Sequence, residues 1–148
     1  MVLRIITVGK ISPWARKAYE HFQKMISRYS RMEHIALSTG GDLNRENAEV
    51  LKKREAEKIA KKIRGRSICL DKNGKSLSSE EFSKLLLNSA NTTFVIGGPL
   101  GIHEDLLRKC ELSISLSKMT LSHEVAFVTL LEQIFRGFKI SRGEKYHY

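Results

Sequence analysis

Short β-branched or apolar runs alternate with segments of helical period along this whole 148-residue chain, and that alternation most restricts its fold. Leu3–Val8, Glu33–Ser38, Ser67–Asp71, Thr92–Ile96 and Ser113–Ser117 read as strands. A first helix is signalled by Ala15, Ala18, Tyr19, Phe22, Met25, Ile26 and Tyr29, spaced to share one face. Ser12-Pro13 supplies its N-cap and a proline at the first helical position. Asn44–Lys62 reads as a second amphipathic helix whose polar face mixes lysines and arginines with glutamates. Ser78-Ser79-Glu80-Glu81 forms a capping box opening a third, with Phe82, Leu85 and Leu86 inward. His103–Cys110 is a short fourth helix, with Glu104 and Asp105 in the first turn, where the helix dipole favours acid. Strands and helices in this order predict one α/β domain over residues 1–148, with a mostly parallel sheet flanked by helices.

The last helix differs from the others. Ser122 precedes Glu124–Phe138, in which Val125, Phe127, Val128, Leu130, Leu131, Ile134, Phe135 and Phe138 leave little polar surface. A helix apolar nearly all round needs cover on more than one side, and a second copy of the chain is the expected cover for its last face.

The run Ile96-Gly97-Gly98-Pro99-Leu100-Gly101-Ile102 separates the fourth strand from the short helix. A buried strand ending in Gly-Gly needs a positive φ or a bare backbone at its last turn. In open α/β sheets such turns lie at the carboxyl ends of strands, where small ligands bind. Gly97 is therefore a candidate pocket residue, and a β-branched replacement there is expected to abolish ligand binding while sparing the fold. A tight connection carrying no ligand remains the alternative.

Charge is unevenly spread. Residues 67–135 hold six basic and eight acidic side chains, net −2, which leaves +12 of the overall +10 on the rest of the chain. A basic surface beside a near-neutral pocket segment suits attraction of a polyanion, nucleic acid first, and handling of a less charged cofactor. No apolar run approaches the ~20 residues of a membrane span, and Val2–Val8, interrupted by Arg4, does not read as a secretory signal. Cys69 and Cys110 lack the spacing of a zinc site or a disulfide framework, so buried free thiols in a reducing cytoplasm are expected.

Familiar catalytic signatures are missing. The glycine turn is neither GxGxxG nor GxxxxGK[ST], and Pro99 removes an amide that a phosphate would need. There is no GxSxG or HExxH, and the five histidines do not pair as metal ligands. A cofactor without clustered phosphates fits better. S-adenosylmethionine is the candidate, with Leu70-Asp71, Gly97-Gly98 and Leu116–Leu121 converging at strand ends and Leu70, Met119 and Leu121 flanking an adenine.

Val8-Gly9-Lys10, Leu70-Asp71, Ile96–Gly101, Leu116-Ser117-Lys118-Met119-Thr120-Leu121-Ser122-His123, Leu131–Arg136 and a Tyr146-His147 tail follow one another in this order. The ordered set spans essentially the whole chain and resembles the RlmH family, ribosomal RNA large-subunit pseudouridine N3-methyltransferases of the SPOUT superfamily. The resemblance implies a C-terminal trefoil knot and a cytoplasmic homodimer. It also implies S-adenosylmethionine-dependent methylation of N3 of a pseudouridine in a stem-loop of 23S ribosomal RNA, on the assembled ribosome. It places the cofactor at Leu70, Gly97, Leu116, Ser117, Lys118, Met119, Thr120 and Leu121, with no metal, and the substrate-facing tail at Tyr146 and His147. Family members commonly end in Asn-His-Pro-Tyr-His and a basic residue, where this chain has Gly143–Tyr148, and carry proline where it has Ser122.

On that reading His147 is the candidate proton acceptor for the N3 imide, and Tyr146 stacks on or orients the base. Arg136 and Glu132, four apart on one helix, form an ordinary helix ion pair or hold the tail. His123 is read as a helix-start or packing residue. The alternative function is a non-enzymatic, basic RNA- or ribosome-binding module, which predicts RNA affinity without cofactor affinity.

Overall fold

A computed structural model describes residues 1–148. Five strands and five helices follow in the order β1 (Val2–Val8), α1 (Pro13–Ile26), β2 (Arg31–Leu37), α2 (Ala48–Ala60), β3 (Arg66–Ser76), α3 (Ser79–Leu87), β4 (Asn91–Ile96), α4 (Glu104–Lys109), β5 (Leu112–Ser115) and α5 (His123–Ser141). The strands form one sheet, ordered β2-β1-β4-β3-β5, and every pairing is parallel. This is the α/β architecture that the alternation predicts.

Strand period divides the core in two. Leu3 and Ile5 of β1 point into one cluster with Tyr19 and Ile26 of α1, Phe82 and Leu86 of α3, and the inner face of α5. Ile6 and Val8 point the other way, into a smaller cluster with Ala56 and Ile59 of α2 and Leu106 of α4. β4 is the central strand, so nearly all of it is buried. A fully buried Phe or Leu contributes about 1.5–3 kcal/mol; Phe94, Phe127, Leu130 and Leu131 are such residues, and they anchor α5 over the sheet.

α5 is covered on more than one side, as its composition demands, by α1 and by α3. Gly137 permits the second contact: a Cβ there would lie 3.1 Å from Leu86 Cδ2 and 3.4 Å from Ser83 Cα. The Ser83 hydroxyl donates to the Gly137 carbonyl at 2.6 Å, which fixes the two helices in register.

Local signals and long-range contacts disagree at three places. Ser78 forms the capping box with Glu81, and Ser122 caps α5 through the Val125 amide. Ser12 has the N-cap position but makes no cap; its hydroxyl and amide both donate to Glu124, at 2.8 Å each. β3 does not end at Asp71. Its pairing with β5 shifts register between Leu70 and Lys75, and Gly74 lies so close to the Ser113–Ile114 backbone that a Cβ would approach to 2.7–2.8 Å. The expectation of free thiols is also corrected. Cys69 of β3 and Cys110, the C-cap of α4, face the same small core with Cα atoms 6.3 Å apart, and they are joined as a disulfide.

Candidate functional site

Thr7, Ile96 and Leu70 sit at one level across β1, β4 and β3, so the chain leaves these strands at the same edge of the sheet. A cavity of about 590 Å³ opens there. Its walls come from Leu70–Lys72 within β3, the glycine turn after β4, the loop after β5 and the first turn of α5.

The glycine turn is rigid for reasons visible in its backbone. The Gly101 amide donates to the Gly98 carbonyl at 2.9 Å, closing a four-residue turn with Pro99 second and Gly101 fourth. Leu100 stays out of the positive-φ region, as no non-glycine residue enters it, so the turn has type I character. Gly101 has φ +83° and needs glycine for that reason. Gly97 needs it for another: a Cβ would lie 2.8 Å from Gly101 C and from Ile102 Cγ1. The expectation that a β-branched residue at Gly97 spares the fold is therefore corrected, because its side chain would collide with the turn itself as well as fill the cavity.

The loop from Leu116 to Leu121 is held by its own polar groups. Ser115 Oγ donates to the Ser117 carbonyl at 2.9 Å, and Ser117 Oγ accepts from the Met119 amide at 2.9 Å. Lys72 Nζ reaches across from β3 to Thr120 Oγ1 at 3.2 Å. Met119 is left 77% exposed at the mouth. His123 closes the far wall, its Nε2 donating to the Lys10 carbonyl at 3.4 Å. Beside it, the two hydrogen bonds from Ser12, the hydroxyl's foremost, hold Glu124 below the usual carboxylate range.

Seven of the eight candidate cofactor residues, Leu70, Gly97, Leu116, Ser117, Met119, Thr120 and Leu121, line this one cavity. Lys118 does not line it; it is exposed between two residues that do. Asp71, Lys72, His123 and Ala126 belong to the walls as well. The signal that could have found the last two is Ser122: a capped helix starting directly after a cavity loop turns its first residues toward the cavity.

Tyr146 and His147 are elsewhere. Arg136, paired with Glu132 at 2.7 Å, places its guanidinium 4.8 Å from the centre of the Tyr146 ring and Nη1 3.0 Å from His147 Nδ1. The Tyr146 ring also meets Phe135 edge-on at 4.8 Å, and His147 Nε2 contacts Glu80 Oε1 at 2.7 Å. Hydrogen bonding to Glu132 raises Arg136 further above its ordinary range, and burial pushes the Tyr146 phenol up. Arg136 thus serves both as a helix ion pair and as the tail's clamp. From His123 to Arg136 is nearly four turns of α5, about 20 Å, so one chain does not bring its tail to its own cavity.

Among known proteins, the family described as "Predicted SPOUT methyltransferase" matches residues 1–147. Proteins named ribosomal RNA large subunit methyltransferase H are similar over the full length. That of Thermosipho melanesiensis is 45% identical, with all of both chains covered. That of Clostridium beijerinckii is 39% identical over 99% of each chain. A solved structure titled a probable methylase family protein from Haemophilus influenzae shares the fold, with TM-score 0.57 and 12% identity over 99% of this chain and 70% of the other.

Proposed function

The chain belongs to the SPOUT methyltransferase family, and from that premise we propose that it methylates N3 of a pseudouridine in a stem-loop of 23S ribosomal RNA, with S-adenosylmethionine as donor. The assembled ribosome is the substrate and a homodimer the working unit. Full-length similarity to proteins named ribosomal RNA large subunit methyltransferase H is the observation that carries this reading.

The cavity fits the donor. Its volume of about 590 Å³ lies within the range for small-molecule sites. Its walls combine apolar side chains with exposed backbone at Gly97–Gly101 and Ser117–Leu121 and offer no phosphate loop, which suits an adenosine attached to a sulfonium amino acid. Leu70, Leu116 and Leu121 supply apolar contact, the loop amides and carbonyls read the adenine edge, and Gly97 leaves the space that a Cβ would take. Lys118 contributes its backbone alone. S-adenosylmethionine, when bound, supplies an electrophilic methyl group.

The protein's own task is then to present N3 and remove its proton. Tyr146 offers an aromatic face to an unpaired base. His147 takes the imide proton at Nδ1, exchanging its contact with Arg136 as it does so. Holding N3 in line with the methyl group contributes more to rate than any single base. Because a chain's tail lies remote from its own cavity, the tail of one protomer serves the cavity of its partner. The Ser12–Glu124 bonds bring the start of α1 beside that of α5, where Trp14 and Val125 are exposed and give the second copy an apolar surface to cover. The family relation also implies that the C-terminal segment is threaded as a trefoil knot.

Calorimetric titration with S-adenosylmethionine tests the reading. Saturable binding is expected, with a stoichiometry showing whether both sites of a dimer fill without RNA. A protein that binds ribosomal RNA but no donor would be the non-enzymatic module instead.

A further inference from the structure

The partition of charge along the chain sets its basicity outside the pocket segment, but the fold changes that picture at the cavity mouth. Lys72 lies in β3 just past Leu70, where the pairing with β4 ends, and belongs to the wall. Lys118 projects from the loop between Ser117 and Met119, both lining residues. Lys10 follows β1, its carbonyl held by the cavity residue His123. None of the three has a carboxylate within ion-pair distance, whereas Lys52, Arg54, Arg108, Arg136 and Lys139 each have one. Of the acidic groups here, Asp71 lies in the wall, and the Glu124 carboxylate is engaged by Ser12.

Three unpaired cations around this mouth do nothing for the donor. S-adenosylmethionine carries a sulfonium, an ammonium and one carboxylate, a net positive charge, and gains little from added lysines. A polyanion drawn to the same mouth gains from all three. β1 and β3 flank β4, so Lys10, just past β1, and Lys72, within β3, lie on either side of the strand that ends in the glycine turn.

Resting on the methyltransferase reading above, we infer that Lys10, Lys72 and Lys118 form a phosphate-binding rim that holds the RNA backbone on either side of the target nucleotide. The Lys118 side chain thereby serves the RNA contact while its backbone stays with the donor loop. Lys72 is steered by Thr120, so the loop that walls the cavity also aims one of the cations. Each lysine that neutralises a phosphate releases a counterion and steepens the fall of affinity with salt.

The test compares two triple variants that remove equal charge. One carries Lys10→Gln, Lys72→Gln and Lys118→Gln; the other carries Lys53→Gln, Lys61→Gln and Lys109→Gln, in the groove between α2 and α4. Binding of fluorescein-labelled protein to ribosomes lacking the modification is followed by anisotropy between about 50 and 200 mM KCl, and S-adenosylmethionine binding by calorimetry. The rim triple should lower the slope of log K against log salt by about 2–3, roughly 0.7–0.9 per lysine. The groove triple should change the slope far less. Equal slopes in the two triples would overturn the rim. So would a wild-type protein that binds the donor but not ribosomes. A wild type that binds ribosomes but no donor removes the methyltransferase reading itself, and the rim with it as a methyltransferase device.

Discussion

Arg136 Nη1 lies 3.0 Å from His147 Nδ1, and that contact fixes where the imidazole carries its hydrogen. A guanidinium only donates, so Nδ1 accepts and Nε2 bears the N–H. The second contact agrees: Nε2 stands 2.7 Å from the Glu80 carboxylate, which accepts. His147 is engaged on both sides in this conformation, and the carboxylate of Glu80 is held below its usual range, first by its own backbone amide and then by His147. The tail is thus placed by side chains of two helices rather than left free.

Arg136→Ala should leave donor affinity unchanged and lower kcat on ribosomes by at least about tenfold, a loss of roughly 1.4 kcal/mol at the transition state. Arg136→Lys should recover little, since lysine lacks the planar fork that spans Glu132, Tyr146 and His147. Steady-state kinetics with calorimetry on each variant decides this. Full activity in Arg136→Ala would mean that the clamp has no bearing on catalysis.

Glu80→Ala should move the His147 nitrogen resonances away from a fixed Nε2–H pattern toward a mixture of tautomers. Heteronuclear NMR on ring-labelled protein reports this directly. An unchanged pattern would show that Arg136 alone sets the tautomer.

Replacing Gly97 by alanine should weaken donor binding and lower stability together, by about 1–3 kcal/mol for overpacking. Both effects come from one Cβ placed 2.8 Å from Gly101 and Ile102. Thermal unfolding and titration should therefore change in step. Retained affinity in a destabilised variant would separate the turn from the cavity.

His34 should make the fold acid-sensitive. Its ring lies against Phe127 and bonds Thr7 Oγ1 at 2.8 Å, and burial, then Arg16, lowers its pKa to about 4. The unfolded chain, titrating near the ordinary 6.5, binds this proton more readily than the folded one in between. The stability is therefore full above about pH 6.5 and lost as pH falls toward 4, by at most about 3 kcal/mol. Thermal melts from pH 7 to 4 should fall less steeply in His34→Gln than in wild type.

Much of this was legible because it is local. Strand and helix periods set the parallel sheet, Ser78 and Ser122 marked helix starts, and the Gly97–Gly98 run marked a strand end at a cavity. What was not legible depends on residues distant in the chain. Ser12 looks like a cap, yet its hydroxyl goes to Glu124 of α5. The end of β3 depends on Gly74 meeting β5, and the pairing of Cys69 with Cys110 on where α4 settles. The resemblance placed Lys118 with its neighbours in the cofactor loop, but Lys118 is exposed and does not line the cavity as they do.

Methyl transfer to ribosomes is the reaction to follow. Wild-type protein is incubated with isotopically labelled S-adenosylmethionine and ribosomes lacking the modification, and the 23S RNA is digested and its nucleosides resolved by mass spectrometry. Label should appear in N3-methylpseudouridine, and only when donor and ribosomes are both present. Label on another nucleoside, or none despite measured donor binding, would contradict the account.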